Sequence, residues 1–199
     1  MVLCVACIEK KDEEKLLELG VKDSKLLTPE KRTVLEKEIK KIVKEFRLVS
    51  IEASELDRLM DRHSLNEIEA MKIGRLLNEL NEKPEIVFID SPDIIEKNFG
   101  ERIKKYLNFK TLLRTEHKAD LHHLACSAAS ILAKVHRDAE IEKLSKKFGD
   151  IGSGYTSDER TIKFLKDYLA RHNKLPEICR VKWITAQKAL NEKFQTKLF

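Results

Sequence analysis

Apolar residues recur along this chain with two periods. "VLCVACI" (residues 2–8) and "EIVFID" (85–90) are short and almost continuously apolar, the pattern of strands covered on both faces, and the second is of the kind found in parallel sheets. "RLVSIE" (47–52) and "FKTLLRT" (109–115) read as two further strands. Between them the spacing becomes helical. Thr28 can cap a helix with Pro29 at its first position, and Leu35, Ile39, Ile42, Val43 and Phe46 share a face, which predicts a helix over 29–45. "SELDRLMDR" reads as a short helix. Ser64 and Glu67 form a capping box that opens a helix in which Leu65, Ile73, Leu76, Leu77 and Leu80 share one side. Further helices are expected over 94–107, after "FKTLLRT" as far as 147, over 159–172 and over 183–194. Strands alternating with helices imply an α/β fold with a mixed sheet flanked by helices. With no internal repeat and no dividing linker, residues 1–199 are expected to form a single domain, with about 158–199 as a helical C-terminal extension.

Composition narrows the class. Of 199 residues, 42% are hydrophobic and 37% charged, with only six Gly and four Pro, which excludes disordered and fibrous chains. No apolar run approaches the length of a membrane span, and "MVLCVACI" lacks a basic leader and a cleavage site, so a soluble, cytoplasmic protein with no membrane partner is expected. The net charge of +5 is the difference between 39 basic and 34 acidic residues. A surface for polyanions would therefore have to arise from segregation of charge.

The candidate chemistry lies at strand ends, where sites gather in open α/β sheets. Asp90 ends "EIVFID", and a carboxylate beside four apolar residues calls for a cation, a metal or hydrogen bonds. Asp120 follows the next strand, where it is either a helix N-terminal acid or a ligand. Together the two would make a hard-oxygen site suited to Mg²⁺ or Mn²⁺, with Lys118, Lys134 and Arg137 as cations for phosphates nearby. His122 and His123 would diverge by about 100° on a helix and so poorly share a metal. Cys4 and Cys7 form a C-x-x-C without a second pair and sit on an apolar strand, so they read as core thiols, as do Cys126 and Cys179. No "GxxxxGK" and no "GxGxxG" occurs.

Several motifs in one order carry a resemblance: "LGVKDSKLLTPEKR", "LNEIEA", "FIDSPD", "EHKAD", "SAASILAKVHRDAEIEKL" and "FGDIGSGYTSDERTIKFLKDY". Over nearly its whole length the chain resembles archaeal ribonuclease HII. The resemblance implies a ribonuclease H-like fold that hydrolyses RNA in RNA/DNA hybrids, and single ribonucleotides in duplex DNA, with two Mg²⁺ or Mn²⁺ ions. It gives Asp90 and Asp120 the roles of catalytic metal ligands and places Tyr155 beside the ribose at the RNA-to-DNA junction. Lys22, Asp23 and Ser24 match a loop beside the hybrid. Lys118 joins them as a phosphate contact, and Ser127, Ser130 and Lys134 match the helix near the cleft. "QTKLF" resembles the start of a sliding-clamp peptide, with Gln195 and Leu198 as the inserting residues.

The resemblance also has a gap. The family's first strand carries a "DEAGRG" motif that supplies an aspartate and a glutamate to the metals and a turn that reads the 2′-hydroxyl, and this chain has no such motif. The first strand is thus expected to be absent, as in a truncated product, leaving two of four carboxylates, impaired hydrolysis and an unpaired edge or gap in the sheet. The alternative is a nuclease-derived module that binds hybrids or duplexes without cutting. Smaller departures are His123 and Leu124 for Tyr and Pro, Thr156 and Glu159 for two prolines, and Ile184 for a lysine.

Overall fold

A computed structural model of the chain describes residues 1–21 and 27–195. Lys22, Asp23, Ser24 and Leu198 lie outside the described residues. The rest group into two compact units. Of the described residues, the larger comprises 2–21, 27–50 and 63–136, and the other comprises Met1, 51–62 and 137–195.

In the larger unit β1 (Val2–Cys7) is followed by a 3-10 turn, α1 (Glu13–Glu18), α2 (Pro29–Ile42) and β2 (Glu45–Ser50). β1 and β2 pair antiparallel from Val2 opposite Ser50 to Cys7 opposite Glu45. The sequence gives no helical pattern for 13–18. Six residues show less than two turns of periodicity, and α1 is held instead by the fully buried Leu16. α2 begins as expected, with the Thr28 hydroxyl accepting from the Lys31 amide. It stops short of residue 45, because Val43 is already extended and the chain enters β2.

α4 (Leu65–Asn78), β3 (Ile86–Asp90), α5 (Glu96–Lys104) and β4 (Leu112–Glu116) form the second half of this unit. β3 and β4 are parallel, in register from Ile86 opposite Leu112 to Asp90 opposite Glu116. The mixed sheet thus consists of two separate two-stranded pieces, and among the described residues no strand lies between β1 and β3. Alternation along β1 serves two cores. Cys4, Ala6 and Ile8 pack against a cluster that includes Leu16, Ile39, Ile131 and Leu132. Val5 packs on Leu77, Ile89, Phe99 and Ile103, as the period-2 geometry of a strand requires.

Half of the capping box at α4 forms. The Ser64 hydroxyl accepts from the Glu67 amide at 3.2 Å, but the Glu67 carboxylate turns outward to accept from Arg102 Nη1 (2.7 Å) and the Tyr106 hydroxyl (2.6 Å). Arg102 also donates to Asp93, which accepts from Asn66 (2.5 Å). The network ties the loop after β3 to α4 and α5. Hydrogen bonds from Tyr106 and Arg102 hold the Glu67 carboxyl below the usual carboxylate range. For Asp93, burial pushes upward, and Asn66 and Arg102 outweigh it.

The second unit contains α3 (Ala53–Leu59), α8 (Glu159–His172) and α9 (Ile184–Gln195), together with the C-terminal half of α7 (Leu124–Phe148), whose N-terminal half belongs to the larger unit. Its core is Ile151, Phe164, Leu165, Cys179 and Ala186, with Trp183 and Tyr168 against it. α8 has the expected bounds. The Asp158 carboxylate accepts from the Arg160 amide at its start, and Asn173 closes it in the left-handed conformation (φ 56°), as expected of an asparagine C-cap. No helix among the described residues is long and apolar enough to cross a membrane.

Two stability tests follow from the Glu67 network and the α4–α5 packing. A β-carbon at Gly74 would lie 2.6 Å from Tyr106 Cβ. Gly74→Ala gains about 1 kcal/mol of helix propensity and loses about 1–3 kcal/mol to overpacking, so denaturant unfolding should show a net loss of up to roughly 2 kcal/mol. Because the folded pKa of Glu67 is depressed, its contribution is present above the unfolded value of 4.5 and disappears as pH falls through the folded value. Glu67→Gln should therefore be less stable than the parent at neutral pH, with a deficit that shrinks on acidification.

Candidate active site

The β3–β4 ladder ends with two carboxylates side by side, Asp90 and Glu116. Asp90 is exposed. The expectation that it is an apolar-flanked charge in need of a partner is thus corrected: within β3 only Ile89 is buried, and the chain surfaces at the next residue. Beyond Glu116 the backbone turns through Lys118 in the left-handed region (φ 56°), a conformation that costs a side-chain-bearing residue on the order of 1 kcal/mol. That turn starts α6 (Ala119–His122), a single turn that holds Asp120 at 4% exposure. The expected continuous helix to residue 147 is broken at His123, which is extended (φ −120°, ψ 116°), before α7 begins at Leu124. The buried Ser127 donates to the Asp120 carbonyl, so the helix of small residues fixes the backbone that carries Asp120.

Asp90 and Asp120 line the same cavity, about 870 Å³ in volume. Its walls are β1 on one side and β3 on the other, and Ala125, Cys126, Ala129 and Ala133 of α7 contribute small side chains. A concentrated negative field is felt at Cys126. Burial, reinforced by Asp90, Asp120 and Glu116, pushes its thiol up to about 12, and the Sγ donates to the Phe88 carbonyl at 3.0 Å. Cys126 is therefore a protonated, structural thiol. Burial likewise raises Cys4 to about 12 and Cys179 to about 11.

The donor set suits a hard divalent cation. Two carboxylates face one cavity, and the neighbouring sulfur stays protonated. Among the described residues no group of three or more His, Cys, Asp or Glu side chains is arranged to hold a metal. Asp90 and Asp120 are the two carboxylates on this cavity that could hold such a cation.

The histidines serve the scaffold. His117 places Nδ1 3.1 Å from the Ser91 carbonyl, and its amide donates to Glu96 Oε1 at 2.6 Å, joining the loops that follow β3 and β4. His123 stacks on Phe88 with ring centroids 3.8 Å apart and sets Nε2 3.0 Å from Glu116 Oε2. The sequence reading gives Glu116 no role in the site and sets His123 aside as a metal ligand. Their signal is long-range, because one partner ends a strand and the other interrupts a helix. Farther along α7, Ser130 lines the cavity and accepts from Lys134 Nζ at 3.2 Å. Lys118 is exposed on its turn.

Tyr155 belongs to the second unit. Its loop is held from several sides. The Ser153 amide donates to Asp158 Oδ2 (2.7 Å), the Gly154 amide to Thr161 Oγ1 (3.0 Å), and the Thr161 hydroxyl to the Ile151 carbonyl (2.9 Å). Hydrogen bonds from Arg160 and then Ser153 hold the Asp158 carboxyl far below the usual carboxylate range. Tyr155 remains half exposed on this frame, with the Arg137 guanidinium over its ring.

Comparison with known proteins agrees with this arrangement. The family model for ribonuclease HII matches residues 1–186. A ribonuclease HII of Pyrococcus furiosus is 42% identical over 188 residues, covering 94% of this chain and 83% of that protein. The crystal structure of ribonuclease H2 from Pyrococcus horikoshii OT3 superimposes with a TM-score of 0.89 at 42% identity, over 98% of this chain and 90% of that one. Ribonuclease HII from Archaeoglobus fulgidus, solved in complex with PCNA, matches with a TM-score of 0.83 at 38% identity, over 94% and 88% of the two chains. With the family model matching residues 1–186 and relatives about 42% identical across nearly its whole length, the chain belongs to the ribonuclease HII family.

Proposed function

We propose that this protein binds RNA/DNA hybrids and ribonucleotide-containing duplex DNA and hydrolyses them endonucleolytically, with Asp90 and Asp120 as ligands for Mg²⁺ or Mn²⁺. The observation that carries this reading is the convergence of the two carboxylates on one cavity at the β3 end. A divalent cation held there would supply an activated water and neutralise charge on the cleaved phosphodiester. Asp90, exposed at the strand end, is placed to meet solvent and substrate, whereas Asp120 is fixed through Ser127 and the first turns of α7. Lys134, in contact with Ser130, contributes cationic charge for a phosphate. Lys118 adds to it from the turn before α6.

Tyr155, half exposed on its clamped loop, supplies a ring surface for a sugar at the RNA-to-DNA junction, and Lys22, Asp23 and Ser24 complete the contact with the hybrid. With two carboxylates in the site, a metal pair is held weakly, and turnover by this chain is slow relative to binding. A cytoplasmic location fits this activity. The PCNA complex of the Archaeoglobus relative supports a sliding clamp as partner. Gln195, at the end of α9, and Leu198 are the residues proposed to engage it.

Cleavage of a short duplex with one ribonucleotide, in Mn²⁺ and in Mg²⁺, tests the reading. Slow, metal-dependent cutting is expected, and Asp90→Asn or Asp120→Asn should lower it on the order of 100-fold or more. Cutting that neither substitution changes would remove these carboxylates from the site. Binding without any cutting, weakening steeply as salt rises, would favour the non-cleaving module instead.

A further inference from the structure

Arg137 lies on α7 one turn past Lys134, and by charge alone it would be one more cation for phosphates. Its contacts give it a different place. The guanidinium carbon stands 3.7 Å from the centroid of the Tyr155 ring, so the planar group stacks on the ring face. Nη2 donates to the Ser153 carbonyl, and Nη1 to Asp138 Oδ1 at 3.1 Å. One group thus grips the ring and the backbone two residues before it. Only 20% of the Arg137 side chain is exposed, against 50% of Tyr155.

The loop is shaped to allow this grip. Gly154 adopts φ +73°, and a β-carbon there would lie 2.8 Å from Ile141 Cδ1 and 3.3 Å from Arg137 Nη2. The missing side chain lets the loop backbone close onto α7. Asp158 and Thr161 fix the same stretch of backbone through the Ser153 and Gly154 amides. The backbone is therefore held without Arg137, but the ring is not. A half-exposed tyrosine on a fixed backbone still samples its side-chain rotamers, and choosing one on binding costs entropy.

We infer that Arg137 is a positioning residue that pre-orients the Tyr155 ring for its contact with substrate. This inference rests on the reading of Tyr155 as a substrate-contacting ring. The stacking is cation–π in character, and the planar fork makes it: a lysine at 137 would keep the charge but lose both the face-to-face stack and the bidentate reach.

Two measurements on the full chain test it. In the NMR spectrum of the free protein, the Arg137 δ-methylene protons should be shifted upfield by the ring current of Tyr155, and Tyr155→Leu should abolish the shift. Absence of the shift in the parent protein would overturn the stacking itself. In fluorescence anisotropy without divalent metal, on a labelled duplex with one ribonucleotide, Arg137→Lys and Arg137→Met should both weaken binding roughly three- to tenfold. The slope of affinity against salt should be unchanged in Arg137→Lys, and neither substitution should have a further effect in a Tyr155→Ala background. Rescue by lysine, or equal losses with and without Tyr155, would make Arg137 a phosphate contact and overturn the positioning role. Full binding by Tyr155→Ala would overturn the substrate contact of Tyr155, and the inference with it. A loss on Tyr155→Ala with none for either Arg137 variant would overturn the inference alone.

Discussion

The parallel pairing of β3 with β4 is the constraint on which the site depends. Parallel strands in register end together, so the last residues of the two, Asp90 and Glu116, must stand side by side. β3 is apolar up to Ile89 and ends on Asp90, whereas β4 carries Arg114 and Thr115 before Glu116, so the shared register rather than a shared pattern aligns the two acids. The short turn through Lys118 then leaves room for one helical turn before α7, and Asp120 falls on it. Three carboxylates are gathered by one ladder and one turn.

Gathering like charges has a cost that the surroundings offset in different ways. Asp90 remains in water, where its charge is screened. Glu116 is met by the imidazole of His123, whose ring is held by stacking on Phe88. The break in the helix at His123 is what brings that ring back over β3, so the interruption between α6 and α7 belongs to the electrostatics of the site. The field that remains is registered by Cys126, whose raised thiol reports burial first and the three acids next. A cation at the open end of the cavity would relieve the same field.

What could be read from the sequence divides along the range of the interactions. The Thr28 and Ser64 caps, the bounds of α8 and the apolar run of β3 are written in neighbouring residues and appear as expected. The places of Asp90 at the end of a strand and of Asp120 at the start of a helix were legible because each sits next to a change of element. Glu67 shows the boundary of this kind of reading. Its spacing from Ser64 signals a capping box, yet Arg102 and Tyr106, more than thirty residues away, take its carboxylate. A charge-assisted pair with a guanidinium outcompetes a local backbone amide. The His117–Ser91 and His123–Glu116 contacts were illegible for the same reason. So was α1, which a single buried leucine anchors rather than any period. The stack of Arg137 on Tyr155 needs the left-handed Gly154 loop to return to α7, and no local pattern records that.

The cavity between β1 and β3 links the fold to the chemistry. β1 is paired to β2 along one edge and β3 to β4 along one edge, and the remaining edges of both line the space that ends at Asp90 and Asp120. Strands in a continuous sheet stand about 4.8 Å apart and satisfy each other's backbone groups; here that satisfaction is interrupted over the whole length of β1. The cores on either face of β1 keep the two halves of this unit in place without a continuous ladder, since Cys4, Ala6 and Ile8 are gripped by one and Val5 by the other. The carboxylates, by contrast, are held from one side only, by β3, β4 and α7. Apolar packing can bridge an interrupted sheet because it is not directional. The two cores therefore hold this unit together across the interruption, while Asp90 and Asp120 take their places from the β3–β4 ladder and the α6–α7 junction.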